Sequence, residues 1–249
     1  PAERQVALLI ITSIIEGTQE IVSERINDLI QFVLQISDYD DPYVFSSACS
    51  TLNELIEYVT SPLSLYVEDI SSYVLQYINK YTNDAIMLLD KLFSKCGRVP
   101  KDTDHIYSEL TSLINQPSIH SEQIEMIISC MSSLLLQSNS PEAYISSFLT
   151  TLNKIFQHRP DLRDVVFNFY GNASTIAPSI VKKDLPNLSK MILSTLESAD
   201  HLQDEANFQF FQSAALCLKQ IAQVLPVSLI SISAAQQAVP FLLKMITLN

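Results

Sequence analysis

The chain has 249 residues and carries 27 acidic against 15 basic side chains, which gives a formal net charge of −12. Electrostatic binding to DNA or RNA needs clustered lysine and arginine, so this balance argues against a nucleic-acid-binding protein. Hydrophobic residues make up 47% and charged residues 17%, which excludes intrinsic disorder. With only 3 glycines, sheet-rich folds and phosphate-binding loops are disfavoured. The composition therefore indicates a soluble, acidic, all-helical protein.

Apolar residues recur at the spacing of an amphipathic helix along most of the chain. The first such face comprises Val6, Leu9, Ile10, Ser13, Ile14 and Gly17. A later face follows Asp41-Pro42 and comprises Val44, Ala48, Leu52, Leu55, Ile56 and Val59. Asp41-Pro42 predicts a helix start, because the carboxylate can accept hydrogen bonds from free backbone N–H groups and proline fits the first turn. The predicted helices lie near 2–17, 22–37, 42–59, 63–80, 83–96, 102–115, 119–137, 141–157, 161–173, 179–198, 204–225 and 227–247.

These helices fall into pairs with a regular period. The first helices of the pairs begin near residues 2, 42, 83, 119, 161 and 204. This spacing is close to the period of about 40–47 residues that HEAT and armadillo repeats show. We therefore predict one all-α segment over 1–249, an α-solenoid of about six HEAT-type antiparallel hairpins. The competing architecture is a single large helical bundle, which would not require a regular recurrence. The predicted hairpins lie near 2–37, 42–80, 83–115, 119–157, 161–198 and 204–247.

The sequence offers no recognisable chemistry of catalysis. It contains none of the common nucleotide-binding, zinc-hydrolase or serine-hydrolase motifs. The histidines, which fall at predicted helix ends or in loops, are His105, His120, His158 and His201. The cysteines, which have no partner close in sequence, are Cys49, Cys96, Cys130 and Cys217. Isolated cysteines predict reduced, buried thiols rather than a metal site or a disulfide framework. We accordingly expect a protein that is not an enzyme and that has no cofactor and no bound metal.

Two groups of acids, 38–41 and 102–104, come just before predicted helices. The first group lacks the central glycine and the closing glutamate of a calcium-binding EF-hand loop. Acids at this place usually cap a helix and complement its dipole. We therefore expect capping roles for both groups.

Charge is distributed unevenly along the chain. Residues 1–110 carry 17 acids and 7 bases, whereas residues 111–249 carry 10 acids and 8 bases. Glu20, Glu24 and Asp28 are four residues apart and would share one helical face, here called the acidic stripe. A concave surface of this charge would attract basic partners by long-range steering. The alternative is a solvated face that keeps an apolar solenoid soluble. The candidate partner-binding residues are Glu20, Glu24, Asp28, Glu68 and Asp69.

The sequence also bears on compartment. The apolar stretch that follows Glu3 is short and lacks a small-residue cleavage site, so it does not predict a signal peptide. The longest uncharged run, 220–243, is interrupted by Pro226 and Pro240. It predicts two buried helices rather than a membrane span, which needs about 20 mostly apolar residues. Together with the reduced thiols, these features predict a cytoplasmic or nuclear protein without membrane insertion.

Residues 3–17 form a predicted apolar first helix that ends in a small residue before an acidic second helix. This hairpin resembles those of the importin-β (karyopherin) family of nuclear transport receptors. Asp41-Pro42-Tyr43-Val44 and the stretch 46–55 are similar to the start of the next HEAT repeat. The later order is most similar to the transportin-SR and importin-thirteen branch. The segments that carry this likeness are 92–96, 124–137, 140–142 and 224–229.

The resemblance implies that the chain is a section of a longer nuclear transport receptor that shuttles between cytoplasm and nucleus. Such receptors bind protein cargo and the GTP form of Ran, and they contact Phe-Gly nucleoporins in the pore. Ran recognition in this family is concentrated in N-terminal repeats, so the resemblance implies that this section serves cargo, pore contacts or superhelix geometry. With the acidic surface, the expected cargo is basic. The alternative is a HEAT-repeat scaffold or adaptor for a multiprotein complex outside transport.

Overall fold

The structure, a computed structural model, describes residues 1–37, 40–59, 63–197 and 205–224. Within these ranges the chain forms α-helices and short 3-10 turns and contains no strand. The predicted all-α class is therefore confirmed. The chain divides into two compact units, Pro1–Asn139 and Ser140–Asn249. The predictions that lie outside the described residues concern Asp38, His201, Pro226, Pro240 and the helix over 227–247.

The longer helices of the first unit fall into two sets, called here the first row and the second row. The helices α1, α4, α6 and α8 begin at Ala2, Pro42, Thr82 and Ser121, and each contacts the next in that order. The helices α3, α5 and α7 contact α4, α6 and α8 respectively. The bounds are α1 Ala2–Ile15, α2 Gln19–Glu24, α3 Ile26–Ile36, α4 Pro42–Tyr58, α5 Val67–Tyr77, α6 Thr82–Cys96, α7 Thr103–Ile114 and α8 Ser121–Gln137.

Side chains and one glycine define the ends of several of these helices. The Asp41 carboxylate accepts hydrogen bonds from the backbone N–H groups of Tyr43, at 3.0 Å, and Val44, at 3.1 Å. Asp102 caps α7 by accepting from the backbone N–H of His105 at 3.3 Å. Helix α6 ends at Gly97, whose φ of 61° is the left-handed conformation that glycine adopts without strain. The capping roles predicted for Asp41 and Asp102 are confirmed.

The two helices with predicted apolar faces differ in their burial. In α4 the predicted face is the buried one, and Leu52 is 1% exposed. In α1 the residues Val6, Leu9, Ile10 and Ile14 are 49–57% exposed, so their predicted burial is wrong. Helix α1 instead turns a different side, with Leu8 and Ile15, into the core. There Thr51 Oγ of α4 lies 2.8 Å from Thr12 Oγ and 3.3 Å from the Leu8 carbonyl oxygen, so a polar contact joins the facing sides of α1 and α4.

Two predicted helices are interrupted. The stretch predicted as one helix over 22–37 is split at Arg25, whose φ of −113° and ψ of 18° are not helical. The stretch predicted as a helix over 63–80 begins as a 3-10 turn, Leu63–Leu65, before α5 starts at Val67. Neither break stands directly after a proline or a glycine. The sequence therefore gives no helix-breaking signal for either of them.

The second unit centres on α10. Its helices are α9 Glu142–His158, α10 Arg163–Ile176, α11 Pro178–Glu197 and α12 Glu205–Val224. Helix α10 contacts each of the other three. At Gly171 the approach of α12 is so close that a Cβ atom would lie 1.8 Å from Gln220 Oε1 and 3.5 Å from Cys217 Cα. The buried Tyr170 hydroxyl donates to the Asp184 carboxylate and lies 3.0 Å from Asn153 Oδ1, so this core also contains a hydrogen-bonded polar group.

In the part of the chain that the structure describes, one helical stretch, Ala2–Glu24, is long and apolar enough to cross a membrane. This result depends on length and composition alone. A single stretch of this kind near the N-terminus is weak evidence, because core helices of soluble proteins and signal sequences share these properties. The prediction of no membrane insertion stays a prediction.

Candidate functional site

The structure places the acidic stripe on two helices rather than one. Glu20 and Glu24 are exposed on α2, one helical turn apart. Asp28 lies beyond the break at Arg25, on α3. Its carboxylate is paired with the Arg25 guanidinium at 2.9 Å, and both side chains are exposed. The stripe therefore presents two carboxylates on one short helix and a third whose charge is locally compensated.

Glu68 and Asp69 lie in the first turn of α5, where they line two separate grooves. Neither described groove is lined by a residue of the acidic stripe. The structure therefore does not join the two groups of predicted residues into one site. The N-terminal part of α5 is the stronger candidate of the two, because two helices contribute side chains to each groove there.

The α5–α7 groove has a volume of about 330 Å³ and is bounded by side chains of both helices and of the loop before α7. One of its lining residues, Glu68, is fixed by hydrogen bonds: its two carboxylate oxygens accept from the backbone N–H of Lys101 at 2.9 and 3.1 Å. This contact fixes the loop before α7 against the start of α5. The lining residues are Glu68, Ser71, Ser72, Leu75, Gln76, Pro100, Asp102, His105 and Ile106.

The α3–α5 groove lies on the other side of α5 and has a volume of about 380 Å³. It shares Ser72 and Gln76 with the α5–α7 groove, so these two residues form the ridge between the grooves. Asp69 is its acidic member, and the rest of its lining is mostly amide and aromatic. The remaining residues that line it are Gln31, Leu34, Gln35 and Tyr73.

Among the residues that line the α5–α7 groove, sequence reasoning named only Glu68 as a site residue, and the missed members include Asp102 and Ser71. Asp102 was expected only as a cap, a role that it does fulfil. The missed signal is the similar position of the two acids: Asp102 caps the start of α7, Glu68 lies in the first turn of α5, and both line the same groove. Ser71 is buried on the same face as Glu68, three residues further along α5.

Several other acids of the first unit are paired across neighbouring helical pairs. The Asp40 carboxylate accepts from Lys80 Nζ at 2.5 and 2.6 Å and from the Tyr81 hydroxyl at 3.0 Å. The hydrogen bond from Lys80 is the main reason that the pKa of Asp40 is lowered. Glu57 is likewise paired with Lys91, at 3.2 Å, and Lys95, at 3.3 Å, and these hydrogen bonds lower its pKa. The charges of Asp40 and Glu57 are therefore already matched within the chain.

The described cysteines and histidines do not assemble a reactive site. Cys49, Cys130 and Cys217 are buried thiols, and Cys96 is half-buried. Burial raises the pKa of Cys96 to about 11 and that of Cys217 to about 12, which keeps both as thiols at neutral pH. Within the described ranges, no group of three or more His, Cys, Asp or Glu residues could hold a metal ion.

Comparison with known proteins leaves the family undetermined. The sequence matches no protein-family model, and no curated protein matches it significantly. The resemblance to importin-β receptors therefore stays a prediction.

Proposed function

We propose that the chain is a section of a nuclear transport receptor of the importin-β type and that it binds basic protein cargo through the acidic surface of its first unit. In this proposal the chain is a HEAT-type α-solenoid without enzymatic activity. The intact receptor would shuttle between cytoplasm and nucleus, bind Ran in its GTP form and contact Phe-Gly nucleoporins.

The observation that carries the proposal is a set of polar contacts that repeats along the chain. Side chains about forty residues apart meet between successive helices of the first row. The contacting pairs, which belong to α1 and α4 or to α6 and α8, are Thr12 with Thr51, Asn83 with Gln123 and Asp90 with Ser129. A single bundle does not require equivalent positions to meet at a constant sequence interval, whereas stacked repeats do.

The second row of helices supports a binding role. In a stack of helical hairpins, one helix of each pair lines a common surface, and such surfaces are the usual binding faces of solenoid proteins. Here α3, α5 and α7 form the grooves that contain Asp69, Glu68 and Asp102. Because residues 1–110 carry ten more acids than bases, this surface favours a basic partner.

Binding measurements on the receptor that contains this chain test the proposal. Ran loaded with GTP and a Phe-Gly repeat peptide should each bind, whereas Ran loaded with GDP and a Ser-Gly repeat peptide are the matched controls. The chain of 249 residues should by itself bind an arginine-rich peptide, and this binding should weaken as salt rises.

The outcomes separate the proposal from its alternative. Binding of basic peptide without any binding of Ran-GTP or Phe-Gly repeats would point to a HEAT-repeat adaptor outside transport. Absence of binding to any basic peptide at low ionic strength would contradict the acidic partner surface itself.

A further inference from the structure

The α5–α7 groove combines acidic and apolar side chains. Glu68 and Asp102 both line it, and Leu75, Pro100 and Ile106 provide apolar surface. Pro100 and Ile106 are buried, whereas Asp102 is exposed and Glu68 is half-buried. A long side chain with an apolar stem and a cationic head would match both parts of this lining.

A second feature of the groove is independent of its acids. Ser71, 2% exposed, lines the groove, and its Oγ makes no hydrogen bond to any of the described residues. A buried hydroxyl without a partner costs free energy, so native proteins rarely keep one without a reason. A hydrogen-bond donor entering the groove would remove this cost.

The balance of charge in the groove is negative. The N-termini of α5 and α7 both lie here, and each contributes a partial charge of about +0.5. Glu68 and Asp102 contribute two full negative charges. His105 is the remaining titratable side chain in the lining. The carboxylates therefore outweigh the helix dipoles, and the groove favours a cation over an anion.

We infer that the α5–α7 groove is an arginine-binding pocket that takes one arginine side chain of a basic partner protein. This inference rests on the proposed function. The guanidinium group presents five N–H donors in a plane, so it can bond more than one of the acceptors that line the groove, which are Glu68, Asp102 and Ser71. An ammonium group is a compact point charge without this planar set of donors, so the pocket selects arginine over lysine. The arginine stem packs on Leu75 and Ile106.

Equilibrium binding of two fluorescein-labelled nonapeptides, nona-arginine and nona-lysine, to the 249-residue chain tests this inference. The peptides have equal charge, so general electrostatic attraction affects both alike. Wild-type protein should bind nona-arginine roughly tenfold more tightly, the effect expected of one additional charge-assisted hydrogen-bonded contact. Fluorescence anisotropy at low and at physiological salt measures both affinities.

Two double variants test which acidic residues cause the preference for arginine over lysine. Glu68→Gln with Asp102→Asn removes both charges but keeps an acceptor for the Lys101 N–H and an effective N-cap for α7. This groove variant should lose the preference for arginine. Glu20→Gln with Glu24→Gln removes the same net charge from the acidic stripe and should keep the preference, although both peptides bind more weakly.

Ser71→Ala provides a test that does not depend on charge. Because the Ser71 hydroxyl has no partner among the described residues, its removal should leave the melting temperature unchanged or raise it. The same change should weaken nona-arginine about threefold and leave nona-lysine unaffected. Reduced affinity without reduced stability separates a contact with the ligand from a structural role.

Each result decides the inference. Equal affinity of the wild-type protein for the two peptides would overturn the arginine pocket while leaving the basic-partner proposal intact. A preference for arginine that survives in both the groove variant and Ser71→Ala would also overturn it. If neither peptide binds the wild-type protein, the proposed function fails and the inference fails with it.

Discussion

The two acidic regions of the first unit differ in how their carboxylates are held. Glu20 and Glu24 of the acidic stripe are exposed on the short helix α2. Glu68 and Asp102 of the α5–α7 groove each accept backbone hydrogen bonds at a helix start, and they face a common cavity. Charge on one exposed helix attracts partners from a distance, whereas charge held between two helices can also select among them.

The helices next to the two regions also differ in how they are packed. The stripe follows α1, whose Val6, Leu9 and Ile10 remain exposed. The groove is formed by α5, which contacts α6, and by α7, which contacts α8, and α6 in turn contacts both α4 and α8. The role of an acidic residue in the first unit therefore depends on the helices that pack beside it.

The largest expected effect concerns the core. Leu52→Ala should lower the free energy of unfolding by about 2–5 kcal/mol, because Leu52 is 1% exposed and its loss leaves a cavity. The matched change Leu9→Ala in α1 should cost at most about 1 kcal/mol, since this side chain is half exposed. Urea unfolding followed by circular dichroism measures both. Similar losses for the two variants would show that the face of α1 is covered.

A smaller effect concerns the helix starts. Asp41→Ala removes the acceptor for the N–H groups of Tyr43 and Val44 and should cost about 0.5–2 kcal/mol. Thr18→Ala is the matched change, because Thr18 stands at the cap of α2 but makes no capping bond. Its cost should be no more than about 0.5 kcal/mol. Equal costs in thermal unfolding would mean that the start of α2 is capped as firmly as that of α4.

The smallest expected effect is the pH dependence of the Asp40–Lys80 contact. Lys80 lowers the pKa of Asp40 from its ordinary 3.8, so the stabilisation is complete above that value and disappears as pH falls through the lowered pKa. Asp40 in turn raises the pKa of Lys80 from 10.5, so the stabilisation also disappears as pH rises through the raised value.

Asp40→Asn tests this contact. The variant should melt slightly below wild type between about pH 4 and 10, and the difference should vanish at both extremes. Asp28→Asn, which removes a pair between residues of neighbouring turns, should have an even smaller effect on melting. A melting difference for Asp40→Asn that persists at pH 2 would show that its cause is not the ion pair.

Local signals in the sequence predicted much of the fold. The forty-residue recurrence predicted the starts of α4 and α6 to within one residue, and the Asp41-Pro42 signal predicted the cap of α4. Both depend on neighbours in sequence, where periodicity and capping preferences act. The break at Arg25 has no such local signal, and the helix over 22–37 was therefore predicted as continuous.

The groove lay beyond sequence reasoning because it depends on which residues meet in space. Periodicity identified apolar faces in both α1 and α4, but contact with a neighbouring helix decides which face is buried. In α1, Leu8 rather than Leu9 is buried. Asp102 was predicted only as a cap. Asp102 and Glu68 are far apart in sequence, so the sequence does not indicate that they line the same groove. Glu68 was found by its charge alone, without the Lys101 contact that fixes its position.

The most direct test of the difference between the two acidic regions is the kinetics of nona-arginine binding at low salt. Rapid-mixing fluorescence should compare wild type, the stripe variant Glu20→Gln/Glu24→Gln/Asp28→Asn and the groove variant Glu68→Gln/Asp102→Asn. The stripe variant should associate several-fold more slowly and dissociate at the wild-type rate, because exposed charges mainly steer encounter. The groove variant should dissociate about tenfold faster, because it loses contacts made only in the complex. If both variants change only the association rate, and in proportion to the charge removed, the groove is no more than another part of the acidic surface.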